Sequence, residues 1–182
     1  MVYEVKINRQ KISALFDIKG SLLNVKELLA SLFQKIPEEA NTFISNNGKT
    51  LMYIGRDHWI LRGPIEEEEE LNTLLELGAT LLNTSVVLVS DTLTFFSVSG
   101  VGAKDIMAIA SPLDFYETKF RENSVTFSEV FGIKALIKRV ENGFEFGVDQ
   151  SYGDMVEDYL LNFNTFLLPP ICLKIYLKTP RC

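Results

Sequence analysis

His58 is the sole histidine of the chain, and Asp57 precedes it directly. An Asp–His pair is a combination that can tune a general base near neutral pH. One histidine excludes any two-histidine mechanism and any His-rich metal site. A catalytic triad would also need an oriented nucleophile, and no G-x-S-x-G turn is present to offer one. His58 is therefore expected at a solvent-facing hairpin turn. Gly100 and Gly102 sit between an apolar run and a helical pattern, where a dinucleotide loop would lie. The third glycine of that fingerprint should stand where Asp105 stands. A carboxylate there repels a pyrophosphate and removes the close helix–strand packing that the glycine serves. The pair reads as a tight strand-to-helix turn.

The remaining candidates are plainer. Glu66 to Glu70 is a run of five carboxylates. It is expected as a solvated helix start, where negative charge meets the positive end of the helix dipole. Asp154, Glu157 and Asp158 read the same way. Trp59, the single tryptophan, and the thirteen phenylalanines read as core anchors. Cys172 and Cys182 are too few for a disulfide framework or a four-cysteine zinc site. The expected catalytic, cofactor-binding and metal-ligating residues are none.

Composition restricts the partners. Lys and Arg total 18 against 24 Asp and Glu, a net charge of −6 over 182 residues. An acidic chain without a basic block is a poor ligand for a phosphate backbone, so nucleic acid is not expected. Hydrophobic residues make up 47%, enough for a chain of this length to bury a core without staples. Met1 to Gln10 lacks the apolar run of a signal peptide. No apolar stretch approaches the roughly 20 residues needed to span a bilayer. The expectation is a soluble, cytoplasmic protein of a reducing compartment, with no membrane partner.

Four helices must carry these residues. Asn24, with Glu27 three residues on, can cap a first helix whose apolar face is Val25, Leu28, Leu29, Leu32 and Phe33. A second follows Pro64, carries Leu71, Leu74 and Leu75, and should end near Gly78. A third follows Gly100 with Ile106, Ile109 and Ala110, and Pro112 stops it. A fourth starts at Ser151 with Val156, Tyr159, Leu160 and Phe163. Strands are expected over residues 11–18, 50–54, 58–62, 84–90, 93–98, 125–131, 134–140, 144–148 and 171–177. Arg56-Asp57 and Glu141-Asn142-Gly143 are their clearest turns.

The order repeats. Each half reads as a β-α-β-β-α-β unit, the split β-α-β or ferredoxin-like motif. The expected fold is α+β, with two such repeats over about 11–90 and 93–177 inside one unit spanning 1–182. The sheets should be mainly antiparallel, with helices covering one face of each. Strands 11–18, 50–54, 58–62 and 84–90 should share one sheet. Strands 93–98, 134–140, 144–148 and 171–177 should share the other.

Two segments carry a family resemblance when taken together. In residues 50–64, Tyr53, Gly55, Asp57, Trp59 and Leu61 hold the spacing of a hairpin found in the sarcosine oxidase gamma subunit family. In residues 96–115, Ser99, Gly100, Ala103, Asp105, Pro112, Leu113 and Asp114 resemble a second block of that family. Asn41-Thr42 and residues 144–152 are also similar to it. The similarity runs from about residue 11 to residue 164. Val101, Lys104 and Ser111 depart from it, standing where the family has proline, arginine and often cysteine.

The resemblance implies a fold and a role. The gamma subunit is the small member of a heterotetrameric sarcosine oxidase, beside alpha, beta and delta subunits. That complex demethylates sarcosine to glycine, makes peroxide, and passes the one-carbon unit to tetrahydrofolate. FAD, FMN, NAD, tetrahydrofolate and zinc belong to the other subunits, and none to this chain. The implied fold is that of the folate-binding domain of the aminomethyltransferases. Those enzymes use a carboxylate on an acidic segment after Gly-Gly-Ile. Here the matching segment is Phe131-Gly132-Ile133-Lys134-Ala135, with Lys134 and Ala135 in the acidic places. Without a carboxylate there, one-carbon transfer lacks its acid/base group. The reading is a non-catalytic subunit of a sarcosine-oxidase-type complex, or of a related N-methyl amino acid dehydrogenase. The alternatives are a free-standing folate-binding, aminomethyltransferase-like protein and a general ferredoxin-like interaction domain.

Overall fold

The structure, a computed structural model, describes residues 5–166. The strand expected over 171–177 and both cysteines lie outside that range. The first sheet collects β2 (Ala14–Lys19), β3 (Thr42–Asn46), β4 (Lys49–Gly55), β5 (His58–Gly63) and β6 (Ser85–Leu88), in the order β3-β4-β5-β2-β6. All its pairs are antiparallel. Taken without β3, this is the fourth-first-third-second strand order of a split β-α-β unit. The four strands expected to share a sheet do so, and β3 is an added edge strand that the sequence reading did not contain.

The second sheet repeats the plan with one exchange. It holds β1 (Lys6–Arg9), β7 (Leu93–Ser99), β8 (Val125–Val130), β9 (Ile133–Val140) and β10 (Gly143–Asp149), in the order β1-β7-β10-β9-β8. The place beside β7 that a fourth strand of this half would take is held by β1, from the other end of the chain. Lys6 lies opposite Ser99 and Arg9 opposite Phe96, antiparallel. The fold is α+β with two antiparallel five-stranded sheets, as expected.

Each sheet is buried on both faces, which explains why adjacent residues of one strand are both apolar. On β2, Ala14, Phe16 and Ile18 face the helices α1 (Leu22–Leu28) and α2 (Glu68–Leu82), while Leu15 faces the other sheet. Leu15, Met52, Ile60, Phe95, Val125 and Leu136 form the core between the sheets. The outer face of the second sheet, with Phe96, Ile137, Phe144 and Phe146, packs under α3 (Ala103–Ala110) and α4 (Gly153–Phe166). The layers therefore run helix, sheet, sheet, helix. The sheets also meet edge to edge at β3 and β8, where Phe43 N–H donates to the Asn123 carbonyl at 2.9 Å and Val125 N–H to that of Asn41 at 2.9 Å.

Helix boundaries differ from expectation for local reasons. Ser21, not Asn24, caps α1: its Oγ accepts from the Asn24 N–H at 3.3 Å. The helix ends at Leu28, yet Leu29 and Phe33 stay buried through a following turn. α2 runs through Gly78 and ends at Asn83, which takes the left-handed conformation with φ 50°. Gly78 lies close against α1, and a Cβ there would force the terminal methyl of Leu28 to move aside. On α3 the buried stripe is Ala103, Ile106, Met107 and Ala110, and Ile109 faces outward. α4 follows a 3-10 turn in which Asp149 accepts from the N–H and Oγ of Ser151, so Asp149 caps where Ser151 was expected to.

Candidate functional site

A cleft of about 560 Å³ opens between the two sheets, lined by residues of β2, β5, β9 and β10 among others. Its floor is apolar, with Leu15, Ile60 and Ile133. Its polar rim is Asp17, Lys134, Asp149 and Tyr152. An apolar concavity with a few convergent polar groups is the form small-molecule sites take.

Strand register builds the rim. Asp17 and Lys19 of β2 lie opposite Ile60 and His58 of β5. His58 Nε2 comes to 3.0 Å from Asp17 Oδ1, and each side chain is about one third exposed. The two atoms are closed to solvent and meet at an angle that does not form a directed hydrogen bond. The partner of His58 is thus Asp17, a cross-strand neighbour, and not Asp57. Asp57 holds the hairpin turn at φ 55° and lies 3.8 Å from Arg56 at the surface. His58 stands beside the expected turn, but it is about two-thirds shielded and in contact with Asp17.

Lys134 and Ala135 point to opposite faces of β9. Lys134 reaches the cleft and sets its Nζ 4.5 Å from the Phe127 ring centre. Ala135 is buried in the core under α3 and α4. Of the two positions where the resemblance places acidic residues, only 134 can address the cleft. On the rim, Asp149 is committed to capping, and its hydrogen bonds from the Ser151 hydroxyl and N–H hold its carboxyl below the usual range.

The other sequence candidates are structural. Trp59 is fully buried, stacked on Tyr53 at 3.9 Å, with Nε1 donating to the Gly20 carbonyl at 3.3 Å. Gly100 and Gly102 form the turn into α3, and Asp105 lies in that helix's first turn. Glu66 to Glu70 spans a 3-10 turn and the start of α2, where Glu67 pairs with Lys49. Among the described residues no three His, Cys, Asp or Glu side chains gather as a metal site would require. No helix among them is long and apolar enough to cross a membrane.

The sequence reading missed one polar cluster between the sheets. Glu145 accepts from Lys138 at 2.8 Å, Gln10 at 3.2 Å and Arg62 at 3.3 Å. Its signal was visible: Arg62 and Glu145 are charged residues within strands that are otherwise apolar at Ile60-Leu61 and Phe144-Phe146.

No protein-family model matches the sequence, and no curated protein matches it by sequence. Solved structures do match in fold. A chain of the heterotetrameric sarcosine oxidase from Corynebacterium sp. U-96, in complex with pyrrole 2-carboxylate, superposes with a TM-score of 0.82 at 14% identity. The match covers 93% of this chain and 88% of that one. The glycine cleavage system aminomethyltransferase T from Bartonella henselae gives 0.64 at 15% identity, over 87% of this chain and 46% of that one. The regulatory subunit of aspartate kinase from Thermus thermophilus gives 0.50 at 12% identity. The fold expected from residues 50–64 and 96–115 is thus the fold found: this chain shares its architecture with a chain of heterotetrameric sarcosine oxidase and with part of aminomethyltransferase T.

Proposed function

We propose that this chain is a non-catalytic, gamma-type subunit of a cytoplasmic, heteromeric sarcosine-oxidase-type complex. The observation that carries the reading is the near end-to-end match to one chain of such a complex. Aminomethyltransferase T is matched over 46% of its length. The cleft adds support: Lys134 lines it, at a position where the resemblance to the aminomethyltransferases places a carboxylate. In this reading alpha, beta and delta subunits are the partners. They hold FAD, FMN, NAD, tetrahydrofolate and zinc, and this chain holds none of them.

Co-expression with candidate flavoprotein alpha and beta subunits of the same organism tests the reading. A complex stable on gel filtration at micromolar concentration is expected, with sarcosine oxidation by the complex and none by the isolated chain. Clean separation of the subunits would reject it.

A second reading rests on Asp17, which lines the cleft, and His58 beside it. An acid–base pair beside an apolar pocket suits a folate-binding, one-carbon protein. Calorimetry with tetrahydrofolate separates the two. The subunit reading expects millimolar affinity or weaker, about −4 kcal/mol. Micromolar binding that is lost in Asp17→Asn and His58→Ala would establish the second.

A further inference from the structure

We propose that the outer face of α2 is a docking surface for a basic amphipathic helix of a partner protein. Glu66, Glu69, Glu70, Thr73, Leu74 and Leu77 line a shallow, open groove. Their spacing places them in one line along a helix, three and four residues apart. Carboxylates occupy its first half and leucines its second. The opposite face is already committed, since Leu71 and Leu75 belong to the core under the first sheet, and Leu74 packs partly against its edge. Leu77, 68% exposed, is a large apolar side chain on the solvent side of the helix.

Charge selects the occupant. No Lys or Arg occurs between Arg62 and Lys104. The 3-10 turn and α2 carry six glutamates, equal to the net charge of −6 for the whole chain. Among the described residues, only Glu67 of the six has an ion pair, with Lys49. Glu68 Oε2 is closed to solvent without a hydrogen-bond partner, although the residue is part-exposed. Glu68, Glu69 and Glu70 lie in the first turn of α2, where the positive end of the helix dipole offsets only part of this charge. Glu66, Glu69 and Glu70 are also like charges at adjacent helical positions, which is unfavourable. A partner helix with leucine-type anchors at i, i+3, i+4 and i+7, flanked by Lys or Arg, answers both halves of the groove. A second copy does not. Two-fold pairing through this face would bury each copy's carboxylates against the other's leucines, with no cation supplied. The inference is independent of which complex the chain joins.

The test titrates nitrogen-labelled full-length chain with a helical Leu/Lys peptide of that spacing, followed by NMR and calorimetry at low and high salt. A peptide of the same composition in scrambled order, and one with Glu for every Lys, are the comparisons. Saturable binding is expected, with shifts confined to Glu66–Leu77 and weakening as salt rises. Leu77→Asp and the double variant Glu69→Lys, Glu70→Lys should each weaken it about tenfold. Both alter exposed positions, so circular dichroism should be unchanged. Equal binding of the scrambled or the Glu peptide overturns the proposal. So do shifts elsewhere on the chain, or self-association of the chain that Leu77→Asp abolishes.

Discussion

Arg62 and Glu145 tie the two sheets together. Arg62 Nη1, on β5, stands 3.3 Å from Glu145 Oε2 on β10, and Lys138 Nζ approaches the same oxygen at 2.8 Å. Arg62 also donates to Ser13 Oγ and Gln10 Oε1 and lies 3.9 Å above the Phe95 ring. Burial pushes the Glu145 carboxyl up, but Lys138, Gln10 and Arg62 outweigh it and hold it below the ordinary carboxylate value. Burial lowers Arg62, and Glu145 offsets part of that. The inter-sheet core is thus apolar at Leu15, Ile60 and Leu136 and ionic at this side.

Glu145→Gln should therefore cost stability, because it leaves two shielded cations without a counter-charge. The expected loss in denaturant unfolding at about pH 7 is about 2–4 kcal/mol, toward the lower end because the cluster is only partly dry. The sign with pH follows from the lowered carboxyl. The contribution is complete above the unfolded value of about 4.3 and disappears as pH falls through the folded value. The gap between wild type and variant should close in acid. A gap of constant size down to the acid end would show that shape, not charge, is what matters at this position.

Half of this arrangement was legible in the sequence. The alternation of Ala14, Phe16 and Ile18 marked the helix-facing side of β2, and the repeated element order marked two related sheets. Leu15, Met52, Ile60 and Phe95 break that alternation, and they make sense only once each sheet has a second covered face. The pairing of Asp17 with His58 was hidden for another reason. Adjacency suggested Asp57, whereas strand register brings Asp17 across from the neighbouring strand. β1 was hidden because Lys6-Ile7-Asn8-Arg9 is polar at three of its four positions and its partner strand begins at Leu93.

Gly143 is the glycine least able to accept a side chain. Its φ is 156°, and a Cβ would fall on the backbone carbonyl of Val98 in the paired strand. No rotamer change relieves a backbone clash. Gly143→Ala should cost about 3 kcal/mol or more. Gly132 has φ 77° with open space around it, so Gly132→Ala should cost only about 1 kcal/mol. Thermal unfolding of the two variants checks the order. Equal losses would contradict the close β7–β10 pairing at this turn.

Trp59 offers a local reporter of the first sheet. It is fully buried and stacked on Tyr53, so its emission should be blue-shifted and inaccessible to acrylamide in the native chain. Ready quenching under native conditions would contradict the packing of β4 and β5 under α1 and α2.

The last expectation concerns β1, which supplies an edge strand to a sheet built otherwise from residues 93–149. A chain beginning at Lys11 loses the β1–β7 ladder, the contacts of Arg9 with Asp154 and Glu157, and the contact of Gln10 with Glu145. The ion pairs are the smaller part. Asp154 is 94% exposed, so Arg9→Ala should cost only about 0–1 kcal/mol. The ladder is the larger part, because its loss opens β7 to water beside Phe96 and Val98, which are fully buried in the native chain. Hydrogen exchange should then accelerate in β7 and α4 of the truncated chain, while β4 and β5 keep their protection. Uniform acceleration would mean that the two sheets open as one cooperative unit. Unchanged protection of β7 would remove β1 from the sheet.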